Sequence, residues 1–466
     1  MLLLTKLHRT AKLLLSLFLI LSTVICQAQL LSFVKGADGS VLDQVEQSGG
    51  KFYNHGVETD AYEILKKYGF NNIRLKLWHT PSEPYNDLGR VKAMAKRAND
   101  LGLGITLDFH YSDTWADPAN QQKPEVWNQL QFSILTDSIR QYTRNVIGQL
   151  KLQNTLPEYI QIGNEISCGM LWNDGNVCNP DSPEQWNKLG ILIKNAIQGV
   201  NEALSTDDKV KIIIHFDNGG NNGACRWFYD NITEEGIDFD IIGLSFYPWW
   251  HGTLTNLRNN LNDLATRYEK DIIVVEFGYP WTLAWNDNTN NLVGLEDQLH
   301  DGYPATVEGQ YTYIRDLIEL VKATSGNHGT GVMYWSPEWI VAPTFGSPWE
   351  NVALFDFNNE VLESIRAFED NAGATENQYK DPVMLNVFPN PFQEETNISF
   401  DLSQHQLIKL SLMNLYGEPV INLHHGNLNK GNHKFSLNNE GLSSGLYIIR
   451  LSCEQFAVEQ KIILID

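Results

Sequence analysis

Residues 157–165, Pro157-Glu158-Tyr159-Ile160-Gln161-Ile162-Gly163-Asn164-Glu165, decide how the rest of the chain is read. The run through Ile162 is short, apolar and alternating, the pattern of a buried strand, and Gly163 is its stop signal. Asn164 and Glu165 then stand at the strand's carboxyl end, where an α/β barrel keeps its chemistry. Residues 271–278, Asp271-Ile272-Ile273-Val274-Val275-Glu276-Phe277-Gly278, repeat the design. A continuous β-branched run is followed by a carboxylate and a turn signal. Two glutamates at the ends of two buried strands suggest a pair acting on one bond. A lone Asn-Glu or Val-Glu after a strand is more often a cap or a surface ion pair, so the pair needs support from the flanking sequence.

That support is an alternation of strands and helices on both sides. Residues 31–37 read as a first strand, ended by Gly36-Ala37-Asp38-Gly39-Ser40. A helix from Asp60, with Glu63 completing a capping box, buries Ile64, Leu65 and Tyr68 and stops at Gly69. Strand two is 72–78. Val91, Met94, Ala98 and Leu101 recur at helical spacing before strand three at 105–110. Leu135, Ile139, Tyr142, Val146 and Leu150 mark the helix that leads to strand four, and Ser182-Pro183-Glu184-Gln185 opens the next with a capping box and a first-turn proline. Strands five to eight fall at 210–216, 241–246, 271–276 and 331–335. Eight strands with helices between them predict a (β/α)8 TIM barrel over residues 29–368, with the two glutamates on strands four and seven.

The ends differ from the barrel. Lys6, His8, Arg9 and Lys12 precede an apolar run over 13–25 and Cys26-Gln27-Ala28, the layout of a signal peptide (1–28) cleaved after Ala28. The run is too short for a convincing membrane span. Residues 369–382 hold almost no apolar side chain and read as a linker. From 383 to 466, runs such as Ile408-Lys409-Leu410-Ser411-Leu412 between Gly and Asn turns predict a small all-β sandwich.

Of 466 residues, 34 are Lys or Arg and 56 are Asp or Glu, so the formal charge of -22 argues against nucleic acid or an anionic membrane as partner. Thirteen Trp, 18 Tyr and 20 Phe suit a sugar binder, because an aromatic face packs on the C–H face of a pyranose, although most such rings serve ordinary cores. Cys168, Cys178, Cys225 and Cys453 lie outside the leader. So few cysteines cannot frame a fold of this size. A Cys178–Cys225 bridge between neighbouring loops and four free thiols are the two alternatives.

With these residues in view, the first domain resembles glycoside hydrolase family 53, the arabinogalactan endo-β-1,4-galactanases. The motifs that carry the resemblance are Gly36-Ala37-Asp38, Ile73-Arg74-Leu75, Asp108-Phe109-His110-Tyr111-Ser112-Asp113 with Trp115-Ala116-Asp117-Pro118, Gly163-Asn164-Glu165, Asp217-Asn218-Gly219-Gly220, Tyr247-Pro248, Val275-Glu276 and Trp335. The resemblance implies a retaining hydrolysis with Glu165 as acid/base and Glu276 as nucleophile, their carboxyls ~5–5.5 Å apart. It further implies that Arg74 holds Glu276 ionised, that Asn164 bonds the sugar 2-hydroxyl, and that Trp335 floors the subsite of the cleaved sugar. His110, Asp113, Trp115, Asp117, Asp217, Asn218 and Tyr247 are the further expected substrate-binding residues. No cofactor is required. Some relatives bind calcium after strand seven, and Asp287, Asn288 and Asn290 are the candidate ligands here, without the usual acidic spacing. The tail resembles the C-terminal sorting domain of type IX secretion, through Phe388-Pro389-Asn390-Pro391-Phe392, Gly445-Leu446-Tyr447 and Lys461-Ile462-Ile463-Leu464. The expected partners are therefore galactan or arabinogalactan and the type IX secretion machinery, with the enzyme secreted or held at the cell surface. The rival readings are another β-1,4-glycanase of the same clan, a mannanase or cellulase, and a sugar-binding barrel without turnover.

Overall fold

The computed structural model describes residues 33–370, 385–402, 405–414, 419–453 and 457–465. The expected signal peptide and nearly all of the expected linker lie outside the described residues. Two compact units divide the chain, one up to Asp370 and one from Asn371.

Eight parallel strands close the first unit into a barrel: β1 (Val34–Asp38), β2 (Asn72–Leu77), β3 (Gly104–Phe109), β4 (Tyr159–Ile162), β5 (Lys211–Phe216), β6 (Ile241–Phe246), β7 (Asp271–Phe277) and β8 (Gly329–Trp335). Each strand pairs with its sequence neighbours and β8 returns to β1, with Ala37 opposite Tyr334. Both faces of the strands are covered, so even the polar alternates of β2, Asn72, Arg74 and Lys76, are buried beside its apolar residues.

One longer helix follows each of the first seven strands: α1 (Ala61–Lys67), α2 (Leu88–Asp100), α3 (Phe132–Leu152), α4 (Pro183–Ala203), α5 (Asn222–Glu234), α6 (Leu254–Tyr268) and α7 (Val307–Lys322). Side-chain caps set most of their starts. Asp60 accepts from the backbone of Tyr62 and Glu63, Ser182 from Gln185, and Thr253 forms a reciprocal box with Asn256. At Asp60 and Ser182 the hydroxyl or carboxylate half of the expected boxes forms. The chain beyond β8 ends in a 3-10 turn, Glu363–Phe368, whose Phe368 packs on Phe70 at 4.1 Å and on Phe277 at 6.4 Å and so closes the barrel's outer core.

The barrel interior has two storeys. Val34, Tyr159, Ile213, Ile241, Ile273, Val275 and Met333 fill the lower one with an apolar plug. Above it, at the carboxyl ends, the inward side chains turn polar: Asp38, Arg74, Lys76, Asp108, Gln161, His215, Ser245 and Glu276, all buried. A register shift between Leu244 and Ser245 sets Ser245 opposite Glu276.

The second unit holds two antiparallel sheets. β9 (Asn386–Phe388), β10 (Glu395–Leu402) and β13 (Gly431–Asn438) form one, in the order β9-β10-β13. β11 (Gln406–Met413), β12 (Pro419–Leu428), β14 (Gly445–Ser452) and β15 (Ala457–Leu464) form the other, in the order β12-β11-β14-β15. Ile398, Phe400 and Leu437 from the first share one core with Leu410, Ile449 and Ile462 from the second. β10 alternates exposed and buried residues, as the sequence pattern predicts for a sandwich.

The bridge alternatives resolve differently from expectation. Cys168 pairs with Cys178, while Cys225 is free and buried. The short strands Gly169–Met170 and Gly175–Asn176 form a hairpin that brings the ends of this ten-residue segment together. Cys225 sits in α5 with its Sγ donating to the Asn218 carbonyl at 3.3 Å, away from that hairpin.

Candidate active site

β4 ends at Ile162, and Gly163 takes φ +79 to turn the chain upward over the barrel mouth. Glu165 follows in the left-handed region, φ 47, and opens the 3-10 turn Ile166–Cys168. Gly163 has no room for a side chain, because a Cβ would lie 2.5 Å from Ile166 Cγ2. Glu276 is still inside β7 and only 6% exposed. Both carboxyls face one cleft of about 430 Å3, a size suited to a few sugar units.

Arg74 organises the floor. Its Nη1 reaches Asp38 at 2.6 Å and Glu276 at 2.9 Å, and its Nη2 reaches Asp108 at 2.9 Å and Asn164 Oδ1 at 2.8 Å. One guanidinium therefore serves three buried carboxylates. Burial pushes the Glu276 carboxyl up, Arg74 draws it back, and Asp38 and Asp108 oppose that, leaving it raised to about 7. Arg74 thus acts on Glu276 in the expected direction, with its single positive charge shared with Asp38 and Asp108. Tyr247 Oη also donates to Glu276 at 3.1 Å.

Among the described residues Glu165 forms no ion pair, and Arg74 acts on it only weakly from its place on Glu276. Burial and the Glu276 charge push its carboxyl well above the ordinary value, against a 2.7 Å bond from Ser245 Oγ. The two carboxyls consequently differ in the direction that acid and nucleophile chemistry requires, with Glu165 the better proton holder.

A hydrogen-bonded chain joins them through residues that sequence reasoning did not select. Ser245 Oγ lies 2.9 Å from His215 Nε2, and His215 Nδ1 lies 3.0 Å from Asn164 Oδ1, which in turn accepts from Arg74. Burial holds His215 well below its ordinary pKa, so the ring is neutral and carries one N–H. With that proton on Nε2, the chain donates through Ser245 to a Glu165 carboxylate. With it on Nδ1, the chain runs the other way, from a protonated Glu165 towards Asn164. The signal for His215 is the one imidazole in β5, directly after the apolar run Ile212-Ile213-Ile214. Ser245 depends on the β6 register shift and left no such signal.

The other expected residues divide into three groups. His110, Trp115, Asp117, Asn164, Asp217, Tyr247 and Trp335 line the cleft together with Arg74 and both glutamates. Trp335 stands edge-on to Trp349 at 4.8 Å, and Trp115 stacks over Trp339 at 6.5 Å, so an aromatic wall rises from the β8 side. Lys76 lies under that wall, its Nζ 3.4 Å from the Trp115 ring centroid, and burial lowers its pKa to about 8. Asp113 is not a cleft residue: Thr80 and the Glu125 backbone occupy its two oxygens, so it ties the loop after β2 to the loop after β3. Asn218 lines a separate hollow beside the cleft.

The calcium expectation finds no donor set. Asp287 accepts from the backbone of Thr289 and Ser347, so its oxygens serve the loop. Among the described residues no three acidic, His or Cys side chains gather as a cation would need.

Residues 34–368 match the model of glycosyl hydrolase family 53. The chain belongs to that family. It is a glycoside hydrolase, and residues 386–465 match a secretion system C-terminal sorting domain. Among its relatives is a protein of Niallia circulans described as an uncharacterized protein in the bgaB 5' region, 44% identical over 346 residues, covering 72% of this chain and 94% of the relative. An arabinogalactan endo-beta-1,4-galactanase of Cellvibrio japonicus is 32% identical, over 70% of this chain and 86% of its own length. The family 53 catalytic domain of Ignisphaera aggregans superposes with a TM-score of 0.68 at 38% identity, covering 72% of this chain and 96% of that one. No helix among the described residues is long and apolar enough to cross a membrane.

Proposed function

We propose that this family 53 enzyme cleaves internal β-1,4-galactosidic bonds of galactan and type I arabinogalactan, the side chains of pectin, with retention at the anomeric carbon. The observation that carries the reading is the pair of cleft carboxyls with unequal partners, Glu276 paired with Arg74 at 2.9 Å and Glu165 accepting from Ser245 Oγ at 2.7 Å. The galactanase relatives supply the substrate class.

Glu276 is the nucleophile. Its oxygen bonds to the anomeric carbon as the bond to the leaving oxygen breaks, and the Glu165 proton passes to that oxygen. Glu165, now ionised, takes a proton from water, whose oxygen displaces Glu276 from the same carbon. The Ser245 hydroxyl donates to Glu165 when that carboxyl is ionised and turns to His215 Nε2 when it is protonated, and the imidazole proton stays where it is. Atoms and protons balance with two carboxyls and water, so the scheme requires no cofactor. Asn164 meets the 2-hydroxyl and Trp335 floors the cleaved sugar. Arg74 acts on Glu276 by charge, and His110, Trp115, Asp117, Asp217 and Tyr247 face the sugar hydroxyls. Asp113 acts through its loop.

Export by a leader cleaved after Ala28, followed by type IX secretion through the tail, places the enzyme outside the cell. The sorting-domain match supports that route. Incubation with linear galactan, mannan, xylan and cellulose tests the substrate reading. Oligosaccharides from galactan are expected, whereas release from mannan or cellulose with none from galactan overturns it.

A further inference from the structure

Glu165 sits at φ 47, a left-handed backbone that a residue with a side chain holds only when its surroundings impose it. On the upstream side the hold is dense: Asn164 donates to the Ala116 carbonyl, and its own carbonyl accepts from Gln121. Downstream it is thin. The chain makes one 3-10 turn, Ile166–Cys168, and enters a hairpin whose strands, Gly169–Met170 and Gly175–Asn176, have two residues each. A ladder that short, with a glycine in each strand, is marginal in water by itself.

The Cys168–Cys178 bond closes this segment just beyond the acid's turn. Val177 N–H and Trp172 Nε1 both donate to the Cys168 carbonyl, at 3.1 and 3.0 Å, so the hairpin's hydrogen bonds converge on the bridged residue. Cys178 belongs to a stretch that is fixed from the other side. Gln185 of α4 donates to the Asn176 carbonyl at 2.8 Å, and Trp186 of α4 and Trp227 of α5 donate to the Asp181 carboxylate at 2.9 and 3.3 Å. The bond therefore runs from the turn of Glu165 to the anchored approach of α4. Cys178 is exposed and Cys168 half-buried, so thiol reagents reach the bond, whereas the free Cys225 is buried.

We propose that the Cys168–Cys178 disulfide is a positioning element for catalysis: it holds the turn that carries Glu165, so that proton delivery to the leaving oxygen depends on the bond being formed. This role rests on the acid/base reading of Glu165 and goes beyond it by making that function conditional on redox state. A dithiol reductant passes two electrons and two protons to the bond, leaving two thiols on the protein and becoming a disulfide itself. Exchange with a disulfide oxidant in an oxidising compartment runs the step in reverse.

The test compares oxidised enzyme with wild type that has been reduced by dithiothreitol and capped with iodoacetamide, and with the double variant Cys168→Ser, Cys178→Ser. Peptide mapping verifies capping at Cys168 and Cys178. The substrates are linear galactan and a dinitrophenyl β-galactobioside, whose leaving group departs without a proton. In both altered preparations kcat/KM is expected to fall about tenfold on galactan and to stay within about twofold on the dinitrophenyl substrate, because kcat/KM reports only as far as the covalent intermediate. Reduced, uncapped enzyme regains its galactan activity with oxidised glutathione. Equal losses on both substrates, an unchanged kcat/KM on galactan, or no recovery on re-oxidation overturn the positioning role. Glu165→Ala separates the two readings: a loss concentrated on galactan supports the acid, and equal losses on both substrates overturn the acid reading itself.

Discussion

Glu165 and Glu276 are distinguished by their neighbours rather than by their chemistry, and that difference yields two tests. In Glu165→Ala the nucleophile remains, so an aryl β-galactoside with a good leaving group still forms the covalent intermediate and then stalls for want of a base. Azide needs no base; it is expected to restore turnover and give the β-galactosyl azide. Glu276→Ala instead admits azide from the opposite face and gives the α-azide, and NMR of the anomeric proton reads the outcome. The reverse pairing of products would exchange the two roles. The second test uses pH. Glu276 must be ionised, so activity falls on the acid side as its carboxyl, raised to about 7, takes a proton. Glu165 must be protonated, so activity falls on the alkaline side as it loses one. The two limbs report the pair together. The Ser245 bond holds the Glu165 carboxyl down, so Ser245→Ala moves the alkaline limb of kcat/KM to higher pH. An alkaline limb that stays in place or moves lower would remove Ser245 and His215 from the proton path.

At the scale of elements, the site is built where β4 stops. Gly163 at φ +79 aims Asn164 back to Arg74 and sends Glu165 over the mouth. Asn164 is pinned further, donating to the Ala116 carbonyl at 2.8 Å, while its own carbonyl accepts from Gln121 at 2.7 Å. Gly163→Ala adds a Cβ against Ile166 in a left-handed conformation, at a cost of ~1–2 kcal/mol. Displacement of the acid by even 1 Å costs on the order of 100-fold. The expected variant is therefore folded by circular dichroism, modestly less stable, and severely reduced in kcat. Loss of stability with kcat intact would show that the turn is merely structural.

On the scale of the whole molecule, the barrel completes its own core. The 3-10 turn Glu363–Phe368 packs Phe368 among Phe70, Phe277 and Tyr334, and Lys35 bonds the Phe368 carbonyl at 2.7 Å. The second unit has a separate core of its own. A chain ending at Asp370 is expected to keep the kcat/KM of the full protein on soluble galactan, because no barrel core residue is removed. A fall in activity with an unchanged thermal transition would assign substrate binding to the tail. In the native organism, the sorting reading predicts extracellular enzyme shortened at its C-terminus, and mass spectrometry of full-length tail on the mature protein would count against it.

Much of this molecule was legible in the chain. Strand six was read at 241–246 and is β6 itself, and the other strands shifted by at most a few residues at either end. The cause is physical: strands buried on both faces are rich in apolar residues, and the helices between them carry a 3.6-residue apolar stripe, most with a side-chain cap. Glu165 and Glu276 stood out for the same reason, as charges at the ends of runs that otherwise exclude them. What the tertiary structure decided are relations between distant residues. Arg74 touches Asp38, Asp108, Asn164 and Glu276; with Arg74 they come from five strand regions and meet only because the barrel closes. Asp113 shares a motif with cleft residues, yet its oxygens are taken by Thr80 of the neighbouring loop and by Glu125 of its own. Cys168 found Cys178 because a local hairpin joined them, a geometry that residue spacing leaves open. Composition and periodicity determine which segments are buried; a bulge at Ser245 and a shared guanidinium depend on three-dimensional register, and the environments of the two glutamates follow from that register.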